Sequence, residues 1–343
     1  MAVDAAALLT DTKRLVRSLV SDLQDWVPAD PESAAVLDAE WRMALAAGRT
    51  GFKEAEWREG FLTQIAVAWV LGCVFVRFCE DNGLVDDPLL GGPGSQLATA
   101  KDHRAVYLAQ HPAHDDRHWL RDVFNRYREL PALREVFGDH NPVWIMAPSA
   151  DGARQVVELW WRLDAAGEQI RHDFTDASLS TRFLGDLYQD LSEHAKKQYA
   201  LLQTPEFVEE FILDRTLDPA IDTFGLGEVR MIDPTCGSGH FLLGGFHRLL
   251  GRWHDAEPGT SQRVLVQRAL DGVFGVDLNP FAAAIARFRL LVEALRAEGV
   301  TKLRNAPAYR VNVAVGDSLL HGDRVSGQGQ LIGDDELRAS LHS

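Results

Sequence analysis

Nine residues, Asp233–Phe241 with the sequence DPTCGSGHF, limit the folds open to this 343-residue chain more than any other segment. A short apolar run with strand character, residues 229–232, precedes them, and a helix-compatible run to about Trp253 follows. Strand, glycine loop and helix in this order open a doubly wound α/β domain. Gly237 and Gly239 permit a tight turn, and the next helix N-terminus offers unpaired N–H groups and a positive dipole end. We therefore predict a ligand-binding loop, where a carboxylate or phosphate fits.

The loop matches neither of two common nucleotide-binding patterns. A dinucleotide fingerprint needs a third small residue where Leu242 stands, and a P-loop needs a lysine followed by serine or threonine. An ordinary strand-to-helix turn that holds no ligand stays an alternative on this pattern alone.

Two more acidic residues are predicted to end parallel strands. Asp277 follows the apolar run 273–276, and Asp317 follows the alternating run 309–315. An acid at the carboxyl end of the second strand is placed to bind ribose hydroxyls at the crevice of such a sheet. Asp233, at the end of the first strand, can accept from an amine or a hydroxyl. A plain strand-end cap is the alternative for Asp277.

These segments together resemble a known family. The nonapeptide resembles motif I of the S-adenosylmethionine (SAM)-dependent DNA adenine methyltransferases, Asp-Pro-(small)-Cys-Gly-Ser-Gly-(His/Ala)-Phe. Residues 275–280 are similar to their motif II, residues 316–319 to motif III and residues 204–212 to motif X. The order X, I, II, III is that of the γ-type adenine-N6 enzymes. The helical N-terminal half, including residues 78–84, resembles the phage-defence branch of this family, the phage-growth-limitation (BREX-type) methyltransferases, with type I modification subunits as near relatives.

Carried over position by position, the resemblance implies that SAM is the cofactor. The residues that would hold it are Thr204, Pro205, Asp233, Cys236, Gly237, Gly239, Phe241, Asp277 and Asp317. Thr204 and Pro205 would flank the methionine moiety, and Asp317 would accept from the adenine N6 amine of SAM. On physical grounds alone, Thr204 and Pro205 are only a good N-cap and first helical position. A helix N-terminus can lower a thiol pKa, so Cys236 as a nucleophile is a further reading, although no histidine base is clearly paired with it.

The resemblance stops before the catalytic motif. In the family, the target adenine is flipped from the duplex, and an Asn-Pro-Pro-Tyr motif after motif III holds its amine. No such motif follows Asp317, and residues 141–143, Asn-Pro-Val, lie upstream of motif I and read as a turn. We therefore expect a sheet that is incomplete at its C-terminal side, no catalytic residue in this chain and no methyl transfer by the isolated chain. Such a chain could be a fragment, a truncated gene product or one half of a split enzyme.

The sequence predicts an α/β protein in three parts. Residues 1–175 form an all-helical N-terminal domain, residues 176–322 a truncated, Rossmann-like SAM-dependent methyltransferase domain, and residues 323–343 a flexible tail. The strongly apolar run 61–78 is interrupted by Gln64 and Arg77, so we predict a buried core helix there and not a membrane span.

Charge and cysteine content limit the partners and the compartment. Lys and Arg total 35 against 50 Asp and Glu, a formal net charge of -15. This balance argues against a broad basic face, so double-stranded DNA would bind through a local patch or through segments mostly absent here. Three cysteines form no disulfide framework, which favours the cytoplasm. His111, His114 and His118 superficially resemble a metal cluster, but no clean further ligands follow, so no metal is predicted.

Other classes of function stay open at this point. A phage-defence protein or a companion chain that carries the missing half is an expected partner. The alternatives are a small-molecule SAM enzyme with a helical cap, and a non-catalytic partner or remnant protein with a vestigial SAM fold. A failure to bind SAM would favour the vestigial fold.

Overall fold

The described part of the protein combines many helices with one small sheet. The computed structural model describes residues 3–46, 51–191 and 204–318. Its helices and its parallel three-stranded sheet confirm the predicted α/β class. The chain divides into two compact units, residues 1–196 with 301–305, and residues 197–300 with 306–343. The domain limits at 175 and 322 stay predictions, and the expected tail lies outside the described residues.

Seven α-helices make up most of the described part of the first unit. They are α1 (Ala5–Trp26), α2 (Pro31–Ala46), α3 (Glu54–Asp81), α4 (Gln96–Gln110), α5 (Asp116–Glu129), α6 (Ala150–Trp161) and α7 (Arg182–Leu191). Asp4 caps helix α1, because its side chain accepts from the N–H of Ala7 at 3.0 Å. It packs against α3, α6 and α7. Its buried face includes four leucines at helical spacing, Leu8, Leu15, Leu19 and Leu23.

Helix α3 is the apolar centre of the first unit. By length and composition it alone, among the described helices, could cross a membrane. Its most apolar window of 18 residues has a mean hydropathy of 1.9, yet 83% of that window is buried inside the protein. Arg77 interrupts the apolar run and donates to both carboxylate oxygens of Asp81, at 3.0 and 2.9 Å. The rings of Trp160 and Phe174 lie 5.9 and 5.8 Å from its guanidinium carbon. Because the charge is neutralised and covered, α3 has the burial of a core helix.

A parallel sheet forms the centre of the second unit. Its strands, in the spatial order β1-β2-β3, are β1 (Met231–Asp233), β2 (Val273–Asp277) and β3 (Asn312–Val315). The helices among the described residues of this unit are α8 (Glu206–Arg215), α9 (Leu217–Phe224), α10 (His240–Ala256), α11 (Gln262–Asp271) and α12 (Pro280–Glu298). Asp233 pairs with Gly275, and Asp277 pairs with Val315. The carboxyl ends of the three strands therefore share one edge of the sheet.

Helix α12 lies against β2 and β3 and is buried along most of its length. Asn279 caps it by accepting from the N–H of Phe281 at 3.0 Å, and Pro280 occupies the first helical position. Arg287, inside this apolar helix, donates to the carbonyl of Val313 at 3.0 and 2.6 Å. The helix is thereby fixed to β3 by a buried, charge-assisted contact.

A short segment between α12 and β3, residues 301–305, belongs to the first unit. Leu303 is buried there, and its N–H donates to the carbonyl of Leu84 at 2.8 Å. Lys302 forms an ion pair with Asp86 at 2.8 Å. The chain thus leaves the second unit, completes the first and then returns to form β3.

Candidate functional site

The loop between β1 and α10 turns at the carboxyl end of the sheet, where the sequence places it. Gly237 and Gly239 have φ values of +53° and +81°, in the left-handed region that favours glycine. A Cβ on Gly239 would also lie 2.9 Å from the Cβ of Ala286, so α12 approaches the loop too closely for a side chain. The turn therefore favours glycine at position 237 and requires it at position 239.

Asp277 holds this loop from the end of β2. Its Oδ2 accepts from the N–H of Gly237 at 2.8 Å, and its Oδ1 accepts from the N–H of Asn279 at 2.8 Å. The N–H of Cys236 donates to the carbonyl of Val276 at 3.0 Å. The loop after β1 is thereby joined to the end of β2 at two points.

Two carboxylates lie in this crevice without a cationic partner. Asp233 and Asp277 form no ion pair with any side chain of the described residues. Burial raises the pKa of Asp233, and the nearby charge of Asp277 raises it further, against a hydrogen bond from the N–H of Thr235 at 3.1 Å. Burial also raises the pKa of Asp277. The site consequently favours ligand groups that donate hydrogen bonds or carry positive charge.

Asp317 lies just beyond the end of β3. The N–H of Gly316 donates to the main-chain carbonyl of Asp277 at 2.9 Å, which holds the end of β3 beside the end of β2. Asp317 itself is half-buried. The three strand-end acids predicted from the sequence therefore lie at or just beyond the carboxyl ends of three adjacent parallel strands.

Cys236 is part of the packing beneath the loop. Its side chain is only 5% exposed, and a Cβ on Gly275 would lie 3.0 Å from its Sγ. Burial raises the pKa of the thiol, and the charges of Asp277 and Asp233 raise it further. A nucleophilic thiolate is therefore unfavourable here. Direct contact between Cys236 and a cofactor stays a prediction.

The motif X segment begins its helix one residue later than expected. Helix α8 starts at Glu206 with Pro205 as the preceding cap residue, and no cap hydrogen bond comes from a side chain. Thr204 therefore does not cap the helix, because the extended Pro205 separates it from the first turn. Pro205 is exposed, whereas Thr204 and Phe241 are half-buried, and all three stay predicted cofactor residues.

A contact that the sequence did not predict joins α8 to the start of α10. Glu209 on α8 is only 7% exposed, and its Oε2 lies 2.6 Å from Nε2 of His240, the first residue of α10. Gly244 makes room for this carboxylate, because a Cβ there would lie 1.8 Å from Oε1 of Glu209. The motif X helix is thus fixed directly to the helix that follows the glycine loop.

Two further residues near the loop were not predicted from the sequence. Arg289 on α12 is buried and donates to the carbonyl of Ser238 at 2.8 Å. Its only signal in the sequence is a charged residue inside an apolar helix. Leu278, next to Asp277, is 54% exposed and presents an apolar surface at the edge of the sheet. Its signal in the sequence is an apolar residue directly after a strand-end acid.

The upstream Asn-Pro-Val segment is a structural turn, as the sequence indicates. Asn141 is 5% exposed, and its Oδ1 accepts from the N–H of Val143 at 3.1 Å. Its Nδ2 donates to the carbonyl of Val136 at 3.0 Å. Because these bonds occupy the amide, Asn141 is not available to hold a substrate amine.

The three histidines that superficially resemble a metal cluster, at positions 111, 114 and 118, stack on one another. The ring centroids of His111 and His114 are 4.9 Å apart, and those of His114 and His118 are 4.3 Å apart. Tyr107 contacts His114 at 2.9 Å through its hydroxyl. In the part of the chain that the structure describes, no group of His, Cys, Asp or Glu has the arrangement of a metal site.

Fold and site together define an α/β protein with a glycine-rich loop and strand-end carboxylates, an arrangement typical of nucleotide-like ligands. No protein-family profile matches the chain. Over 99% of its length, however, the chain is 49% identical to the adenine-specific methyltransferase PglX of Streptomyces coelicolor. This similarity confirms the resemblance indicated by the motifs. The chain spans 29% of the length of that relative.

Proposed function

We propose that this chain is the SAM-binding portion of a DNA adenine-N6 methyltransferase from a phage-defence system. The loop at residues 234–239, held by Asp277 at the carboxyl edge of the sheet, is the observation that carries the proposal. The relative from Streptomyces coelicolor is named an adenine-specific methyltransferase, which supports the reaction class. We interpret the second unit as the first three strands of a Rossmann-like domain, and propose that the full activity belongs to a longer protein that acts on double-stranded DNA in the cytoplasm.

The chemistry of the crevice suits the parts of SAM. Asp277 uses one acceptor position on each oxygen for the protein backbone, which leaves others for ribose hydroxyls. Asp317 would accept from the adenine amine, and the exposed Leu278 would contact the adenine ring. The uncompensated Asp233 favours a cationic ligand, and SAM carries a sulfonium and an ammonium group. The first turn of α10 would receive its carboxylate.

In this proposal the chain binds the methyl donor, and we assign none of its described residues to contact with the target base. SAM supplies an activated methyl group, which the amine nitrogen of adenine attacks. The described residues can bind and orient that donor and exclude water from it. We assign no catalytic residue to this chain, because the Asn-Pro-Val turn at 141–143 is occupied by its own hydrogen bonds.

SAM binding by isothermal titration calorimetry tests the proposal. We expect the chain to bind SAM, and Asp277→Ala to raise the Kd at least tenfold, about 1.4 kcal/mol, because both the loop and the ribose lose an acceptor. Asp222→Ala is the matched control, since Asp222 is exposed on α9 and should leave the Kd unchanged. A folded chain that does not bind SAM at millimolar concentration would contradict the proposal and favour a vestigial, non-catalytic protein.

A further inference from the structure

The first unit contains a cavity that the methyltransferase proposal does not use. Its volume is about 350 Å³, near the lower end of the roughly 300–1,000 Å³ of small-molecule sites. It is lined by the end of α1, the start of α2, the start of α5 and residues 145–147. Because it is half-enclosed, it suits a small ligand better than a flat macromolecular surface.

Arg121 on α5 lacks a partner in this cavity. Its Nε is buried and has no hydrogen-bond acceptor among the described residues. Burial lowers the pKa of its guanidinium, and the neighbouring charge of Arg117 lowers it further, against the opposite effect of Glu32. A partly desolvated cation beside a like charge is less favourable than a solvated one unless an anion compensates it.

The second arginine is already held in place. Arg117 donates to Oδ2 of Asp115 at 2.7 Å, and its guanidinium lies 5.0 Å from the ring centroid of Trp26. A guanidinium fixed by a carboxylate and an aromatic ring is pre-organised to face a second anion. Arg117 and Arg121 lie one helical turn apart on α5, so both can reach one ligand group.

The remaining lining has two further chemical characters. Trp26, Val36 and Ile145 give apolar surface, and Asp30 and Glu32 give carboxylate acceptors. Asp30 accepts from the N–H of Ser33 at 3.0 Å, so it already caps α2, whereas Glu32 is exposed. A matching ligand has an anionic end, an apolar body and hydroxyl or amine donors.

We propose that this cavity binds a nucleoside phosphate, with the phosphate on Arg121 and Arg117. The arginine fork matches phosphate oxygens, the base supplies an apolar body, and the sugar and base supply donors for the acids. Inorganic phosphate would leave most of the cavity unfilled. Duplex DNA would have to approach a chain of net charge -15 and insert its backbone into a half-enclosed space.

Calorimetric titration of the chain with AMP is the test. We expect binding that weakens at least tenfold in Arg121→Gln and that also weakens with added salt. Arg126→Gln is the matched control, because Arg126 lies on the same helix, is exposed and pairs with Asp122. We expect Glu32→Gln to tighten binding, since it removes a negative charge from the cavity and retains an oxygen that accepts from the ligand. Adenosine, which lacks the phosphate, should bind at least tenfold more weakly than AMP.

A second set of variants separates this cavity from the proposed SAM site. AMP binding should persist in Asp277→Ala, and SAM binding should persist in Arg121→Gln. Arg121→Lys, which retains the charge but loses the fork, covers the case in which Arg121→Gln does not fold, and it should also weaken AMP binding. Equal AMP binding by the parent and the Arg121 variants, AMP binding lost only in Asp277→Ala, or binding of a DNA duplex without binding of AMP would each overturn the proposal.

Discussion

Asp277 is engaged by the protein before any ligand arrives, because both carboxylate oxygens accept from backbone N–H groups. The sequence identifies this residue through its place after an apolar run. It could not identify the bond to Gly237, since 40 positions separate the two residues and only the parallel pairing of β1 and β2 brings them together. Strand-end acids follow from local pattern, whereas the contacts that orient them follow from packing.

Gly239 provides a direct test of the loop. Gly239→Ala introduces a side chain at a φ of +81° and 2.9 Å from the Cβ of Ala286, so we expect a loss of about 1–3 kcal/mol in the free energy of unfolding. We also expect the loss of SAM binding. Gly251→Ala, in the open on α10, is the control and should be neutral or stabilise by about 0.4–1 kcal/mol. Calorimetry and chemical denaturation measure both effects, and a Gly239→Ala protein that binds SAM normally would contradict this account.

Glu80, at the end of α3, predicts a pH dependence of the first unit. Burial raises its pKa from 4.5 to about 7, although the N–H groups of Leu89, Leu90 and Gly91 stabilise the ionised form. The folded pKa exceeds the unfolded one, so the folded state retains the proton more strongly, and stability is lost as the pH rises from about 4.5 to 7. The decrease should be about 3 kcal/mol at most.

Tryptophan fluorescence during urea denaturation reports this unit, because every tryptophan except Trp253 lies in it. We expect Glu80→Gln to be less stable, because the side-chain NH2 of the glutamine would face the backbone N–H donors of residues 89–91. We also expect its stability to depend less on pH between about 4.5 and 7. A parent whose stability does not fall between about pH 4.5 and 7 would show that the backbone hydrogen bonds outweigh the burial.

At the scale of elements, helix starts and strand lengths are where sequence and structure differ. Helix α8 begins at Glu206, one residue after the predicted position, since a proline with extended ψ still precedes the first turn. Strand β3 is limited to Asn312–Val315, although the alternating pattern extends back to residue 309. Periodicity indicates which residues face the core, but hydrogen bonding with a neighbour decides where a strand begins.

The contact between α8 and α10 predicts a response to a single methyl group. Gly244→Ala places a Cβ where Oε1 of Glu209 lies, so we expect the carboxylate to be displaced from His240 and the free energy of unfolding to fall by about 1–3 kcal/mol. SAM affinity should fall as well, because α8 carries the motif X segment.

A double variant shows whether this loss comes from the carboxylate. Glu209→Ala combined with Gly244→Ala removes the overlap. The double variant should therefore lose less free energy of unfolding than the sum of the losses of the two single variants. Additive losses in chemical denaturation would mean that the methyl group added at Gly244 is opposed by something other than Glu209, such as Leu213, whose Cδ1 would lie 2.8 Å from the new Cβ.

At the scale of the whole molecule, the sequence predicted the order of a helical part and an α/β part, because each has its own hydrophobic period. It did not predict that residues 301–305 belong to the first unit, since five residues contain no period that could be detected.

We expect no methyl transfer from radiolabelled SAM to DNA by this chain alone, at a concentration where calorimetry shows SAM bound. Turnover above a no-protein control would contradict the proposal that the target-base contacts lie elsewhere.

The return of residues 301–305 to the first unit affects how the protein is made. A ribosome synthesises the chain from its N-terminus, so the groups opposite Leu84 and Asp86 emerge only after most of the second unit. During that interval the surface that will cover Leu303 stays open. A protein truncated after residue 196 would keep this surface exposed, because it lacks residues 301–305. Stable expression of the helical part would therefore require residues 301–305 to be supplied in another way.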